Sequence, residues 1–249
     1  LINTTPVGMY PNCGQAAVNL NDLPRLTGVL DVVYNPLRTA LILAAEERGL
    51  PCSGGLPMLV AQAWRAAELF TGTDIPESRV ETVLGELTDA QRNVILIGMP
   101  GCGKTTVGEA LARQLGKPLV DVDEEIVRAA GCSIPEIFAQ EGEEGFRRRE
   151  SQAVREAGSR TGCVISTGGG VVTRPENLWP LRQNGVIFHL LRDISLLPTD
   201  GRPVSQRVAA EDLWRQRDPL YAAFADEVID NNGPLAHTLA QIERELKRR

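Results

Sequence analysis

Gly98, Gly103, Lys104 and Thr105 stand in the run G-M-P-G-C-G-K-T at the spacing G-x-x-x-x-G-K-[ST]. That combination suits the binding of a polyphosphate. Glycines let successive backbone N–H groups turn inward as a nest for an anion, and a helix opening behind them adds the positive end of its dipole. Lys104 then reaches the outer phosphates, and the Thr105 hydroxyl is available to Mg²⁺. Gly101, Cys102, Gly103, Lys104, Thr105 and Thr106 are the candidate nucleotide-binding residues. The alternative, a glycine-rich turn that holds nothing, fits the context poorly: an apolar run at 94–97 precedes the loop and a helical pattern at 104–115 follows it.

A phosphate loop leaves the acceptor open among water, protein, nucleotide and small molecule. Asp121 and Asp123 close an expected strand at 119–122 as D-V-D. Residues two apart on a strand share a face, so both carboxylates are expected to point into one crevice. One could hold a magnesium-bound water and the other accept a proton from a substrate hydroxyl; the plainer alternative is a solvated strand end capping the next helix. Phe146-Arg147-Arg148-Arg149-Glu150 lies on a helical pattern, where an arginine cluster is as readily a solvated face. Ser166-Thr167-Gly168-Gly169-Gly170 follows a third strand, and three glycines there allow a ligand close to the backbone or simply make a flexible turn. Asp200-Gly201-Arg202-Pro203 and Arg217-Asp218-Pro219-Leu220-Tyr221 each add one arginine.

The elements that must position these residues are readable from periodicity. Short apolar strands at 94–97, 119–122, 163–166 and 186–190 alternate with helical patterns at 104–115, up to about 159, at 210–217 and at 235–249. This alternation predicts an α/β fold with a mostly parallel sheet and helices on both faces. Upstream, residues 1–72 carry an apolar run at 29–34 and helical patterns at 40–48 and 58–70, with stop signals at Gly49 and at Thr71-Gly72. Between 73 and 92 the apolar residues thin out, which predicts a linker with one short helix at 79–87.

Composition bounds the rest. The 249 residues are 43% hydrophobic and 23% charged, which is globular and excludes disorder, collagen and coiled coil. Lysine and arginine number 26 against 32 aspartate and glutamate, so a net charge of -6 offers no footprint for nucleic acid. The apolar runs are too short for a membrane span. Five scattered cysteines without a C-x-x-C pair suit a reduced, cytoplasmic chain better than a disulfide framework or a zinc site. The chain opens Leu1-Ile2-Asn3, as if in the middle of a longer protein.

Taken in order, G-M-P-G-C-G-K-T-T, D-V-D, F-R-R-R-E, T-G-G-G, G-R-P and R-D-P-L-Y resemble shikimate kinase over residues 93–249. The resemblance implies a P-loop kinase fold on a five-stranded parallel sheet, with ATP and Mg²⁺ required and shikimate as acceptor. Asp123 would then bind shikimate and act as base, and Asp121 and Thr105 would stand at the magnesium. Arg147 and Arg217 would grip the substrate carboxylate, a role suited to the guanidinium fork. Gly168, Gly169 and Gly170 would line the substrate, while Lys104 and, from a mobile lid, Arg202 would neutralise the transferring phosphate. One departure is the short stretch at 191–200, where the family carries a longer helical segment. Arg192 there is a candidate for packing against adenine. The kinase part is expected to act as a monomer, and a gluconate kinase-like activity on the same fold is the alternative.

Three earlier segments, L-I-N-T-T-P-V-G-M, D-V-V-Y-N-P-L-R-T-A-L-I-L-A-A-E-E-R-G and G-G-L-P-M-L-V-A-Q-A-W-R-A-A-E-L-F-T-G, resemble the C-terminal part of shikimate dehydrogenase. The resemblance implies an incomplete Rossmann-like fragment in which Tyr34 and Gln62 stand at shikimate-contacting positions, and Val32 and Gly55 near the nicotinamide. No strand in the chain is followed by G-x-G-x-x-G, so the fragment is expected to be inactive here. NADP-dependent dehydrogenase activity would belong to a longer bifunctional protein.

Overall fold

Three short strands, β1 (Ile2–Asn3), β2 (Val29–Asp31) and β3 (Cys52–Ser53), pair in parallel in the order β1-β2-β3. They belong to the first of two units in the computed structural model, Leu1–Arg92 with Arg182–Asn184; the second is Asn93–Leu181 with Gly185–Arg249. The structure describes residues 1–197 and 204–248, with the backbone alone at 204–210.

In the first unit the buried Asp31 has its acceptor sites used. Its Oδ1 accepts from Asn3 Nδ2 at 3.0 Å and Val33 N at 3.1 Å, and its Oδ2 from the Thr39 hydroxyl at 2.6 Å. Thr39 also starts α1 (Ala40–Glu47) by accepting from Ile42 N at 3.3 Å. Leu41, Ile42 and Ala45 of that helix pack on Leu20 and Val29. Helix α2 (Leu56–Thr71) ends on Gly72 at φ +66°, a left-handed stop. The stretch read as a connector with a short helix is mostly helix: α3 (Glu77–Gln91) runs 15 residues and lies against α2. None of its residues is fully buried, so the sequence shows no strong apolar stripe there. Tyr34 and Gln62 are both exposed on this unit.

The second unit is built on β4 (Asn93–Ile97), followed by α4 (Lys104–Leu115), β5 (Leu119–Asp121), α5 (Val122–Ala130), α6 (Ile134–Ser159), β6 (Val164–Ser166), α7 (Leu178–Arg182), β7 (Gly185–Leu191), α8 (Val204–Phe224), β8 (Glu227–Asp230) and α9 (Leu235–Lys247). The five strands are all parallel, in the order β5-β6-β4-β7-β8. All five residues of β4 are buried although neighbours on a strand point to opposite sides, so both faces of the sheet are covered. Burial of Ile95, Leu96 and Ile97, each with no exposed surface, contributes roughly 1.5–3 kcal/mol apiece. The strand left unmarked by periodicity is β8, an edge strand in which only Ile229 is buried.

β4 lies between β6 and β7, the point where the strand order reverses. In open parallel sheets the crevice at the carboxyl ends of such strands is where ligands bind. Every candidate residue of the described kinase-like part lies just beyond those ends or on a helix packed behind them. Among the described residues no helix is long and apolar enough to cross a membrane.

Candidate active site

Between β4 and α4 the backbone turns through Gly98 (φ +146°), Gly101 (φ +79°) and Gly103 (φ +100°), conformations that suit glycine. The loop thereby leads into the N-terminus of α4. Lys104 is buried and its Nζ donates to the carbonyls of Gly98 at 2.9 Å and Met99 at 3.0 Å, folded over its own loop. Cys102 differs from its neighbours. Its side chain is fully buried beneath the loop and its N–H donates to Met99 O at 3.2 Å, so this amide is already engaged. Burial pushes the Cys102 thiol up, with Lys104 opposing.

The reading of Asp121 and Asp123 as two residues on one strand face needs correction. β5 stops at Asp121, and Asp123 lies in the first turn of α5. The reason is capping: Asp121 Oδ1 accepts from Asp123 N at 3.0 Å and Glu124 N at 3.4 Å, which starts the helix one residue after the strand. The other Asp121 oxygen, Oδ2, accepts from the Thr105 hydroxyl at 3.3 Å. The two carboxylates still converge, by a strand-to-helix turn. Burial first, then the Asp121 charge, holds the Asp123 carboxyl above the usual aspartate range, against Lys104 and Arg147. Thr105 and Asp121 present hard oxygen donors at the mouth of the loop. Two protein oxygens suit Mg²⁺, which keeps waters and phosphate oxygens for the rest of its shell.

After β6, Thr167 anchors the glycine run by donating its hydroxyl to Leu96 O at 2.9 Å. Each glycine stands at a close approach. A Cβ on Gly168 would meet Glu150 Oε1 at 2.8 Å and Asp123 Oδ1 at 2.9 Å; on Gly169, Pro100 Cδ at 2.6 Å; on Gly170, Arg147 Nη1 at 2.0 Å. The run is therefore packed between the phosphate loop and the side chains of α5 and α6. Arg147 is buried; its Nη1 donates to Glu150 Oε2 at 2.7 Å and its Nη2 to Glu143 Oε1 at 3.3 Å. Arg217 Nη1 donates to Gly169 O at 3.1 Å.

Pro100, Lys104, Thr105, Asp121, Asp123 and Gly169 face one cleft of about 410 Å³, with Gly101, Gly103, Thr106, Ser166 and Thr167 completing its wall. The two arginines stand behind it, against Gly170 and Gly169 respectively. Arg202 lies outside the described residues. Arg192 is beside Gly103 and faces a second cleft of about 470 Å³ together with Trp214 and Asn232.

Sequence reasoning passed over two residues. Glu150 has no exposed surface, braces Arg147, and leaves its Oε1 without a hydrogen bond. Burial raises its pKa, and Arg147 lowers it. Tyr221 is fully buried and donates its hydroxyl to Gly169 O at 2.6 Å. A glutamate three residues after a buried arginine on one helix was the available signal for the first. The tyrosine closes the R-D-P-L-Y run, but its partner, the Gly169 carbonyl, is 52 residues away in the chain.

Comparison with known proteins agrees with this geometry. The family model described as shikimate kinase matches residues 100–247, and one described as the shikimate 5'-dehydrogenase C-terminal domain matches residues 55–84. The chain is 42% identical over 158 residues to a shikimate kinase of Nitrosomonas europaea, covering 60% of this chain and 75% of that one. Among solved structures, a shikimate kinase from Acinetobacter baumannii in complex with shikimate matches with TM-score 0.59 at 37% identity, over 66% of this chain and 97% of that one. The shikimate kinase of Aquifex aeolicus matches with TM-score 0.56 at 30% identity, over 63% of this chain and 96% of that one. With the phosphate loop from Pro100 onward, the aspartate-bearing turn and the packed glycine run inside the matched region, this chain belongs to the shikimate kinase family.

Proposed function

We propose that the chain transfers the γ-phosphoryl group of ATP to the 3-hydroxyl of shikimate, giving ADP and shikimate 3-phosphate. The observation that carries this reading is the shared cleft: a carboxylate with raised proton affinity, Asp123, faces the same space as Lys104 and the phosphate loop. A hydroxyl acceptor needs a base within reach of the phosphoryl donor.

Asp123 accepts the hydroxyl proton as the new O–P bond forms and the bond to the β-phosphate oxygen breaks. The N–H groups of Gly101, Gly103, Lys104, Thr105 and Thr106 cradle the phosphates, with Cys102 supporting the loop from below. Lys104 leaves its carbonyl partners for the phosphate oxygens. Arg147 and Arg217 grip the acceptor's carboxylate, and Gly168, Gly169 and Gly170 shape its pocket. Arg202, carried over from the family's G-R-P motif, neutralises charge on the transferring group. Thr105 and Asp121 would hold Mg²⁺, which would screen the phosphate charges when bound.

In this reading residues 1–92, with α3 packed on α2, are a dehydrogenase-like fragment without activity of its own, and 93–249 are the kinase, monomeric and cytoplasmic, with no nucleic-acid or membrane partner. ADP release measured over a panel of hydroxy acids tests the assignment. Shikimate is expected to be the preferred acceptor; a strong preference for gluconate would overturn it.

A further inference from the structure

The Gly169 carbonyl accepts two hydrogen bonds, from the Tyr221 hydroxyl at 2.6 Å and from Arg217 Nη1 at 3.1 Å. Both donors are on α8, one turn apart. Tyr221 has no exposed surface, and its ring stacks on His189 of β7 with centroids 4.8 Å apart and planes at 23°. His189 is itself buried and lies against the start of the phosphate loop, its Cδ2 3.5 Å from where a Cβ would stand on Gly98. On the other side Gly169 abuts Pro100 of the same loop. A closed circuit of contacts thus runs Gly98, His189, Tyr221, Gly169, Pro100. It joins the loop assigned to the phosphoryl donor with the glycine run assigned to the acceptor.

We propose that Tyr221, backed by His189, is a positioning residue that fixes the spacing between the phosphate loop and the acceptor loop and holds Arg217 in register with both. The proposal rests on the kinase reading above. Phosphoryl transfer depends on reacting atoms being held near contact distance, and a misplacement of about 1 Å costs about a hundredfold in rate. The tyrosine is suited to the task because two links meet in it, a directional hydrogen bond at one end and a rigid face at the other. Burial pushes its pKa up to about 12, so the hydroxyl stays a donor wherever the enzyme works. Neither Tyr221 nor His189 faces the cleft at the phosphate loop, which distinguishes them from residues that touch substrate.

Tyr221→Phe keeps the ring and the stack and removes only the hydroxyl. We expect kcat with shikimate to fall about tenfold, the worth of one well-placed hydrogen bond, while the KM for ATP and the unfolding temperature stay near wild type. His189→Ala is expected to lower kcat similarly, and His189→Phe, which restores a stacking face, to recover most of it. A purely structural role would instead lower the unfolding temperature and leave kcat alone. Wild-type kcat in Tyr221→Phe, or equal loss in His189→Phe and His189→Ala, would overturn the proposal, and the first variant decides even if His189→Ala does not fold. A wild-type chain that fails to phosphorylate shikimate would instead remove the kinase reading beneath it.

Discussion

Asp123 is costly to the fold and needed for the proposed reaction, and its replacement separates the two. Its folded pKa lies above the ordinary aspartate value of 3.8, so between those two values the native state holds its proton where the unfolded chain has lost it. Stability contributed by this group therefore falls as pH rises through that window, and above it the cost is fully present. Asp123→Asn is predicted to raise the unfolding temperature at neutral pH while abolishing most of shikimate turnover; thermal unfolding and initial rates on one preparation check both. For the same reason the acid limb of kcat/KM against pH is expected to have its midpoint above 3.8. Lys104→Ala is expected to lower kcat by ~10²–10³-fold, the usual loss for one preorganised charge on a developing transition state. These residues were legible because their chemistry is local: a lysine after glycines, and a carboxylate near a strand end. Tyr221 was not, because its partners Gly169 and His189 are brought to it only by the fold; Glu150 sits one turn from Arg147 on the same helix, but its full burial is not visible in the sequence.

At the scale of the elements, the glycine run after β6 leaves little room for change. A Cβ at Gly170 would overlap the Arg147 guanidinium, which Glu150 holds from the far side. Gly170→Ala is predicted to raise the KM for shikimate about tenfold or more, with the KM for ATP unchanged, since the phosphate loop is not displaced. Steady-state kinetics with each substrate varied in turn separates the two. Periodicity was enough to place the loop and helix α4, whose bounds coincide with the spacing read from sequence. It failed at β5, where the cap made by Asp121 converts an expected strand face into a turn, and at β8, whose edge position leaves only one residue buried. It also understated α3, whose residues are all at least partly exposed. The glycines were read as allowing a ligand close to the backbone or as a flexible turn; in the structure Gly169 faces the cleft, and Pro100, Asp123, Glu150 and Arg147 stand where Cβ atoms would be.

The whole chain divides into the two units, and the motifs of the kinase reading all fall in the second. A chain beginning at Gln91 is therefore predicted to keep full shikimate turnover; loss of activity with folding confirmed by circular dichroism would mean that the first unit contributes to the site. The first unit has three short parallel strands, none followed by a glycine fingerprint for a dinucleotide. Tyr34 and Gln62 are exposed, and each could offer shikimate about 1 kcal/mol through one hydrogen bond. No NADP⁺ binding is expected by calorimetry, and micromolar binding confined to residues 1–72 would show that this unit retains a dinucleotide site.

The central claim is that one cleft brings a phosphoryl donor to the hydroxyl of a carboxylated acceptor with Asp123 as base. The most direct measurement is to incubate the purified chain with ATP, Mg²⁺ and shikimate, and to identify the product by phosphorus NMR. The account predicts stoichiometric ADP and a phosphate monoester on the 3-oxygen of shikimate, with formation of both nearly abolished in Asp123→Asn. Inorganic phosphate as the only product, or an undiminished rate in Asp123→Asn, would contradict it.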